Sequence, residues 1–229
     1  MTKSTPVRTE AAPLVVRTLA ELRTLTAGWR RAGETSALIP TMGALHQGHR
    51  ALVRVGQKHA RRPVTSIFVN PTQFAPHEDF ARYPRDEAGD VALLASVGCD
   101  AVWAPSVEEM YRPGAATRII PKGAGLGLET DFRPHFFEGV ATVCCKLFSQ
   151  SEANFAIFGE KDYQQLCVVR QMVRDLDLPI EIVGMPTVRE ADGLAMSSRN
   201  RYLTPADRQT AVLIHKVIVE VAAKVMAGT

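Results

Sequence analysis

Short apolar runs alternate with helical runs along most of this chain, and that alternation limits what it can fold into. Ser36–Pro40 (SALIP), Pro63–Asn70 (PVTSIFVN), Asp100–Pro105 (DAVWAP), Asn154–Gly159 (NFAIFG) and Ile180–Val188 (IEIVGMPTV) read as short strands. Gly48–Ala60, Arg85–Gly98, Phe137–Ser151 and Lys161–Asp175 lie between them and read as helices. Apolar strands separated by helices imply a parallel sheet covered on both faces. The expectation is an α/β fold, a Rossmann-like doubly wound parallel sheet with helices on both faces, spanning 1–185. A smaller C-terminal region, 186–229, begins near Met185–Pro186 with a loop and continues in a helix over about Pro205–Met226. Arg112–Arg133, rich in glycine and turn residues, reads as an excursion from the sheet.

Composition narrows the function classes. With 229 residues, 46% of them hydrophobic, the chain is long enough for one generous domain or for one domain plus part of another. Its 27 basic and 24 acidic residues leave a net charge of +3, and the basic ones are scattered, as at Arg30–Arg31 and Arg61–Arg62. That balance gives no footprint for nucleic acid. No apolar run approaches the length of a membrane span, and the opening MTKSTPVRTEAAP lacks the apolar centre of a signal peptide. A soluble, cytoplasmic protein with no membrane partner is expected. Cys99, Cys144, Cys145 and Cys167 form no C-x-x-C pair and no cluster with zinc spacing, so they read as free thiols.

In a sheet of this kind, ligands bind beyond the carboxyl ends of strands. After the first strand comes Pro40-Thr41-Met42-Gly43-Ala44-Leu45-His46-Gln47-Gly48-His49. The H-x-G-H spacing brings His46 and His49 together where a helix begins. Gly48 permits close approach, and the unpaired N–H groups of a helix start favour an anion. Imidazoles there can donate to a phosphate whose charge grows in a transition state. Two surface histidines would be the plain alternative, but the strand before them and the glycine between them weigh against it. After the second strand, Asn70-Pro71-Thr72-Gln73 offers amides suited to hydroxyls and carboxylates, and is equally a turn around Pro71. After the fourth, Gly159-Glu160-Lys161-Asp162 again joins a strand to a helix start. Lys161 can reach a phosphate, and Asp162 a ribose hydroxyl. Met196-Ser197-Ser198-Arg199 combines hydroxyls with a guanidinium, the parts of a mobile phosphate clamp. Each segment alone is weak, but three phosphate-friendly segments are harder to dismiss.

PTMGALHQGH, SIFVNPTQF, FGEKDYQQL and PTVREADGLAMSSRNRYL together resemble the pantothenate synthetases, or pantoate–β-alanine ligases. The paired histidines and the serine/arginine loop are shared more widely by adenylyl-transferring enzymes, whereas NPTQF, GEKDYQQL and MSSRNRYL are specific to the narrower family. The resemblance covers about Leu38 to Leu203. It implies that ATP activates pantoate as pantoyl-adenylate, and that β-alanine then displaces AMP to give pantothenate. It places Met42, Gly43, Ala44, Leu45, His46, Gln47, Gly48 and His49 in the ATP site, joined by Gly159, Glu160, Lys161, Asp162, Val188, Met196, Ser197, Ser198 and Arg199. His49 becomes the general-acid or charge-stabilising histidine, with His46 and Lys161 as its catalytic companions. Gln73 and Gln165 hold pantoate's hydroxyls, Gln73 and Asn70 lie near the β-alanine site, and Pro40 and Thr41 complete the substrate-binding set. Mg²⁺ is expected on the phosphates. A metal role for the acidic stretch Asp86–Asp90 stays open, and a homodimer is implied.

Members of the family continue into a fuller C-terminal domain that covers the active site. Against that pattern the region 186–229 reads as the truncated start of a lid. Little follows the Met196–Arg199 loop to pack against it, so poor anchoring, weaker ATP binding and slower turnover are expected. Two other functions remain open: an adenylyl or nucleotidyl transferase acting on another acid, and an impaired nucleotide-binding fragment.

Overall fold

The computed structural model describes residues 12–228. Most of the opening segment read above for a signal peptide lies outside them. The elements are β1 (Leu14–Val16), α1 (Leu19–Arg31), β2 (Ser36–Thr41), α2 (Gln47–His59), β3 (Arg62–Ile67), α3 (Glu87–Ala95), β4 (Ala101–Trp103), α4 (Val107–Met110), α5 (Glu129–Phe132), α6 (Phe136–Ser151), β5 (Phe155–Gly159), α7 (Tyr163–Asp175), β6 (Glu181–Met185) and α8 (Pro205–Met226). The strands form one parallel sheet in the order β1-β4-β3-β2-β5-β6. From β2 the chain winds outward through β3 and β4, then returns to place β5 on the other side of β2. The topological switch point therefore lies between β2 and β5, where a ligand crevice forms in such sheets.

The period-two geometry of the strands divides the core between two faces. Leu38, Val64, Trp103 and Phe158 pack on one side with Leu22 of α1, Leu147 of α6 and Leu166 of α7. Ala37, Ile39, Val102 and Ile157 pack on the other with Val53 of α2 and Leu94 of α3. Fully burying a leucine such as Leu38 contributes about 2 kcal/mol, and both layers repeat that gain many times.

Element ends follow local chemistry. Asn70 reads as strand in the sequence, yet β3 stops at Ile67. The Asn70 side chain instead accepts from Thr72 N–H and starts a 3-10 turn over Pro71–Gln73. Likewise β6 ends at Met185, just before Pro186, which has no N–H for the ladder. The helix read from Lys161 starts at Tyr163, after a 3-10 turn over Glu160–Asp162. The sequence reading passed over β1 and α1. A legible signal existed: Thr18 and Glu21 form a reciprocal capping box at the start of α1.

The excursion folds back onto the body through amide clamps. Gln164 donates to the carbonyls of Ala124 and Gly127 and accepts from Glu129 N–H, while Gln171 accepts from Ala124 N–H. Cys144 is buried and Cys145 half-buried, and all four thiols are free. Among the described residues no helix is long and apolar enough to cross a membrane.

Candidate active site

A cavity of about 500 Å³ opens beyond the carboxyl ends of β2 and β5, at the switch point of the sheet. That volume lies in the usual range for small-molecule sites. One wall comes from Pro40, Thr41 and Met42 after β2, with His46, Gly48 and His49 at the start of α2. Asn70, Gln73 and Tyr83 close a second side. Gly159, Lys161, Asp162 and Gln165 enter from β5 and α7, and Val188 with Met196–Arg199 form the remaining rim. Four separate motifs therefore meet in one space.

The two histidines form a self-capping pair. His46 is the N-cap of α2, and its Nδ1 accepts from Gly48 N–H at 3.1 Å. His49 occupies the third helical position, and its Nδ1 accepts from His46 N–H at 3.2 Å. The ring centroids lie 4.1 Å apart. Because both Nδ1 atoms accept, the remaining proton of each neutral ring sits on Nε2 and is available to donate. Burial lowers the His49 pKa to about 3, with the nearby His46 and Lys161 charges adding to the effect. His46 is lowered as well, again chiefly by burial. A pair of neutral imidazoles is thus offered to the cavity as hydrogen-bond donors. Gly48 sits where a Cβ would come 2.9 Å from the His46 ring, so a larger residue would push the pair apart.

Lys161 pairs with Asp162 at 2.9 Å and lies at the rim with part of its side chain in solvent. Gln73 is held in one orientation: its Oε1 accepts from Asn70 Nδ2 at 3.1 Å, and its Nε2 lies 3.2 Å from Met42 Sδ. Asn70 also donates to Gly139 O and accepts from Tyr111 OH, so its polar atoms orient Gln73 and neighbouring backbone. Gln165 also lines the cavity.

The serine/arginine loop departs from the poor anchoring expected of it. Arg199 makes two bonds to Asp79, at 2.9 and 3.0 Å, and its guanidinium lies over the Tyr83 ring. Ser198 Oγ pairs with Tyr83 OH at 3.2 Å, and Tyr202 OH donates to Arg82 O. The anchor is the 79–83 segment, far away in sequence and adjacent in space.

Several residues expected in the ATP site do not line the cavity. Gly43, Ala44 and Leu45 are buried and lie outside the lining, and Gln47 and Glu160 are also absent from it. In the Gly43–Leu45 turn two of the backbone donors are already taken: the Asp90 carboxylate accepts from Ala44 N–H at 2.9 Å and from Leu45 N–H at 2.7 Å. Arg133 lines the cavity and was not singled out by sequence reasoning. It bonds Gln73 O at 3.0 Å, makes two bonds to Glu78 and one to Glu129, and stacks 4.0 Å from the Phe136 centroid. It fixes the peptide that carries Gln73.

The donor set does not make a protein cage for a metal. Among the described residues no group of three or more His, Cys, Asp or Glu could hold an ion. Asp86 caps α3 by accepting from Gly89 N–H, Asp90 faces backbone, and Asp79 and Asp162 are ion-paired.

A family model described as pantoate-beta-alanine ligase matches residues 14–228. A pantothenate synthetase from Caulobacter vibrioides is 55% identical over 217 residues, which is 95% of this chain and 76% of that protein. Pantothenate synthetase 2 from Bradyrhizobium diazoefficiens is 57% identical over 218 residues, 95% of this chain and 77% of that protein. Among solved structures, pantothenate synthetase from Thermus thermophilus superposes with a TM-score of 0.88 at 48% identity, covering 94% of this chain and 76% of that one. The pantoate-beta-alanine ligase of Francisella tularensis, complexed with beta-gamma ATP and beta-alanine, superposes with a TM-score of 0.85 at 35% identity, covering 90% and 79%. Sequence, fold and the four convergent motifs agree, and the chain belongs to the pantoate–β-alanine ligase family.

Proposed function

We propose that this cavity binds ATP along the His46, His49, Lys161 and Ser197–Arg199 side, and pantoate between Gln73 and Gln165. The activity is that of the family: ATP-dependent joining of pantoate and β-alanine to give pantothenate, AMP and pyrophosphate. The observation that carries the reading is the neutral histidine pair, with both Nε2–H groups free to donate beside a lysine and an arginine. Neutral donors bind the oxygens of an anion without requiring that a buried imidazolium be formed first.

In the first step the pantoate carboxylate attacks the α-phosphorus, and the bond to the bridging oxygen breaks, releasing pyrophosphate. His46 and His49 donate to phosphate oxygens as their charge grows, and Lys161 and Arg199 offset the charge of the departing group. Mg²⁺ carried in with the nucleotide would offset charge on its phosphates. Gln73, oriented by Asn70 and Arg133, holds a pantoate hydroxyl together with Gln165. In the second step the β-alanine amine attacks the acyl carbon, AMP leaves, and the amine loses a proton.

The region 186–229 contributes Val188 and the Ser197–Arg199 rim, and in this reading it is the start of a separate covering unit. The free thiols suit a reducing cytoplasm, and the family resemblance points to a homodimer, which sedimentation velocity tests.

The test of the activity is ATP–pyrophosphate exchange with pantoate as the only acid, followed by pantothenate formation on adding β-alanine. Exchange that is indifferent to pantoate, or supported equally by unrelated acids, rules the assignment out.

A further inference from the structure

We propose that Asp90 is a positioning residue for the nucleotide site: its buried carboxylate holds the Gly43–Leu45 turn and so sets where the His46–His49 pair meets ATP. This rests on the ATP reading given above.

The chain leaves β2 at Thr41 and must enter α2 at Gln47. It does so through two successive residues with left-handed backbone, Gly43 at φ 81° and Ala44 at φ 51°. Glycine adopts that conformation freely, whereas an alanine does so at a cost and needs outside support. Asp90, only 4% exposed, supplies it from the first turn of α3. Each oxygen serves one donor: Oδ2 accepts from Ala44 N–H and Oδ1 from Leu45 N–H. A Cβ at Gly43 would stand 2.9 Å from the same Oδ2, so turn and carboxylate are fitted to each other. The next N–H along the chain, that of His46, is the one bound by His49 Nδ1. A run of backbone donors thus leads from Asp90 directly into the histidine pair. Thr41 completes the turn by accepting from Gly43 N–H while donating to Ser66 O.

An asparagine at 90 would keep size and shape but turn an N–H₂ group toward one of the two N–H donors. Asp90→Asn is therefore expected to weaken ATP binding about tenfold or more, the scale for hydrogen bonds to a charged group. Pantoate binding, measured by calorimetry without nucleotide, should stay within about twofold, because Gln73 and Gln165 lie outside the turn. The loss of ATP affinity should be equal with Mg²⁺ present and with metal removed by EDTA. An ATP affinity within about twofold of the parent overturns the proposal. So does a loss seen only when Mg²⁺ is present, which would make Asp90 a metal ligand, or an equal loss of ATP and pantoate, which would indicate general loosening. If Asp90→Asn does not yield folded protein, Gly43→Ala disturbs the same contact from the turn side and must show the same split. A parent chain that binds no ATP would instead break the nucleotide reading itself.

Discussion

Leu38 and Val217 are both aliphatic residues inside regular elements, but Leu38 in β2 is fully buried and Val217 in α8 is 55% exposed. The contrast extends to the regions around them. From β1 to β6, side chains from both faces of the sheet interlock into two apolar layers. Beyond Met185 polar pairs are prominent. Arg199 pairs with Asp79, Ser198 with Tyr83, and Arg208 bridges Glu190 and Asp192. α8 buries no residue, and Ile214, Val217, Ile218 and Val221 are all more than half exposed. The first region is held by burial, which is large and non-directional. The second has directional links, and two of them, Arg199 with Asp79 and Ser198 with Tyr83, fall where the loop meets the cavity. The chain can therefore place Arg199 at the rim without a second apolar core beneath it.

The largest test of this contrast is truncation of one side chain in each region. Leu38→Ala should cost about 3 kcal/mol through lost burial and a cavity, whereas Val217→Ala should stay within about 0.5 kcal/mol. Urea unfolding of both variants measures the difference, and a comparable loss at Val217 would mean that α8 is covered in solution.

Next in size are the two walls of the cavity. His49→Ala, on the sheet body, should slow adenylate formation about a hundredfold, as for loss of one transition-state donor. Arg199→Ala, on the polar-anchored loop, should raise the KM for ATP and reduce that rate less. Pyrophosphate exchange reads both, and a His49 variant at the parent rate would remove that histidine from the chemistry.

A pH series sharpens the same distinction. The His49 pKa falls from its ordinary 6.5 to about 3 in the folded chain. Between those values the unfolded state binds the extra proton, so stability is complete above about pH 6.5 and declines as pH falls toward 3. The expected loss is on the order of 1–2 kcal/mol by pH 5. His49→Gln should flatten that part of the profile, and a variant that keeps the parent slope would assign the titration to other groups.

The smallest effect is at the polar anchor. Asp79→Asn leaves the core untouched and removes half of a partly exposed ion pair, so global stability should change by less than about 1 kcal/mol. Amides near Arg199 should nevertheless exchange faster while those of β2 do not. Equal protection at both places would show that the Tyr83–Ser198 contact holds the loop unaided.

How much of this was legible depended on how far the partners lie apart in the chain. The strand and helix runs, the fold class and the H-x-G-H pair were readable because apolar periodicity and i, i+3 spacing are local. Asn70 and Gln73 were readable as an amide pair, but Asn70's role in orienting Gln73 was not. β1 is too short, at three residues, to carry a readable pattern, whereas α1 is marked in the sequence by the Thr18–Glu21 capping box.

The sequence by itself determined which segments become strands, which residues start helices, and which polar groups follow each strand, since these depend on neighbours within a few positions. Only the tertiary structure decided that Asp90 would bind the backbone of Ala44 and Leu45, that Arg133 would hold the Gln73 peptide, and that Asp79 and Tyr83 would anchor a loop some 120 residues away. Those contacts depend on how the strands are ordered across the sheet, which sets β2 between β3 and β5. A carboxylate or guanidinium carries no mark in the sequence of the donor or acceptor it will meet after that winding.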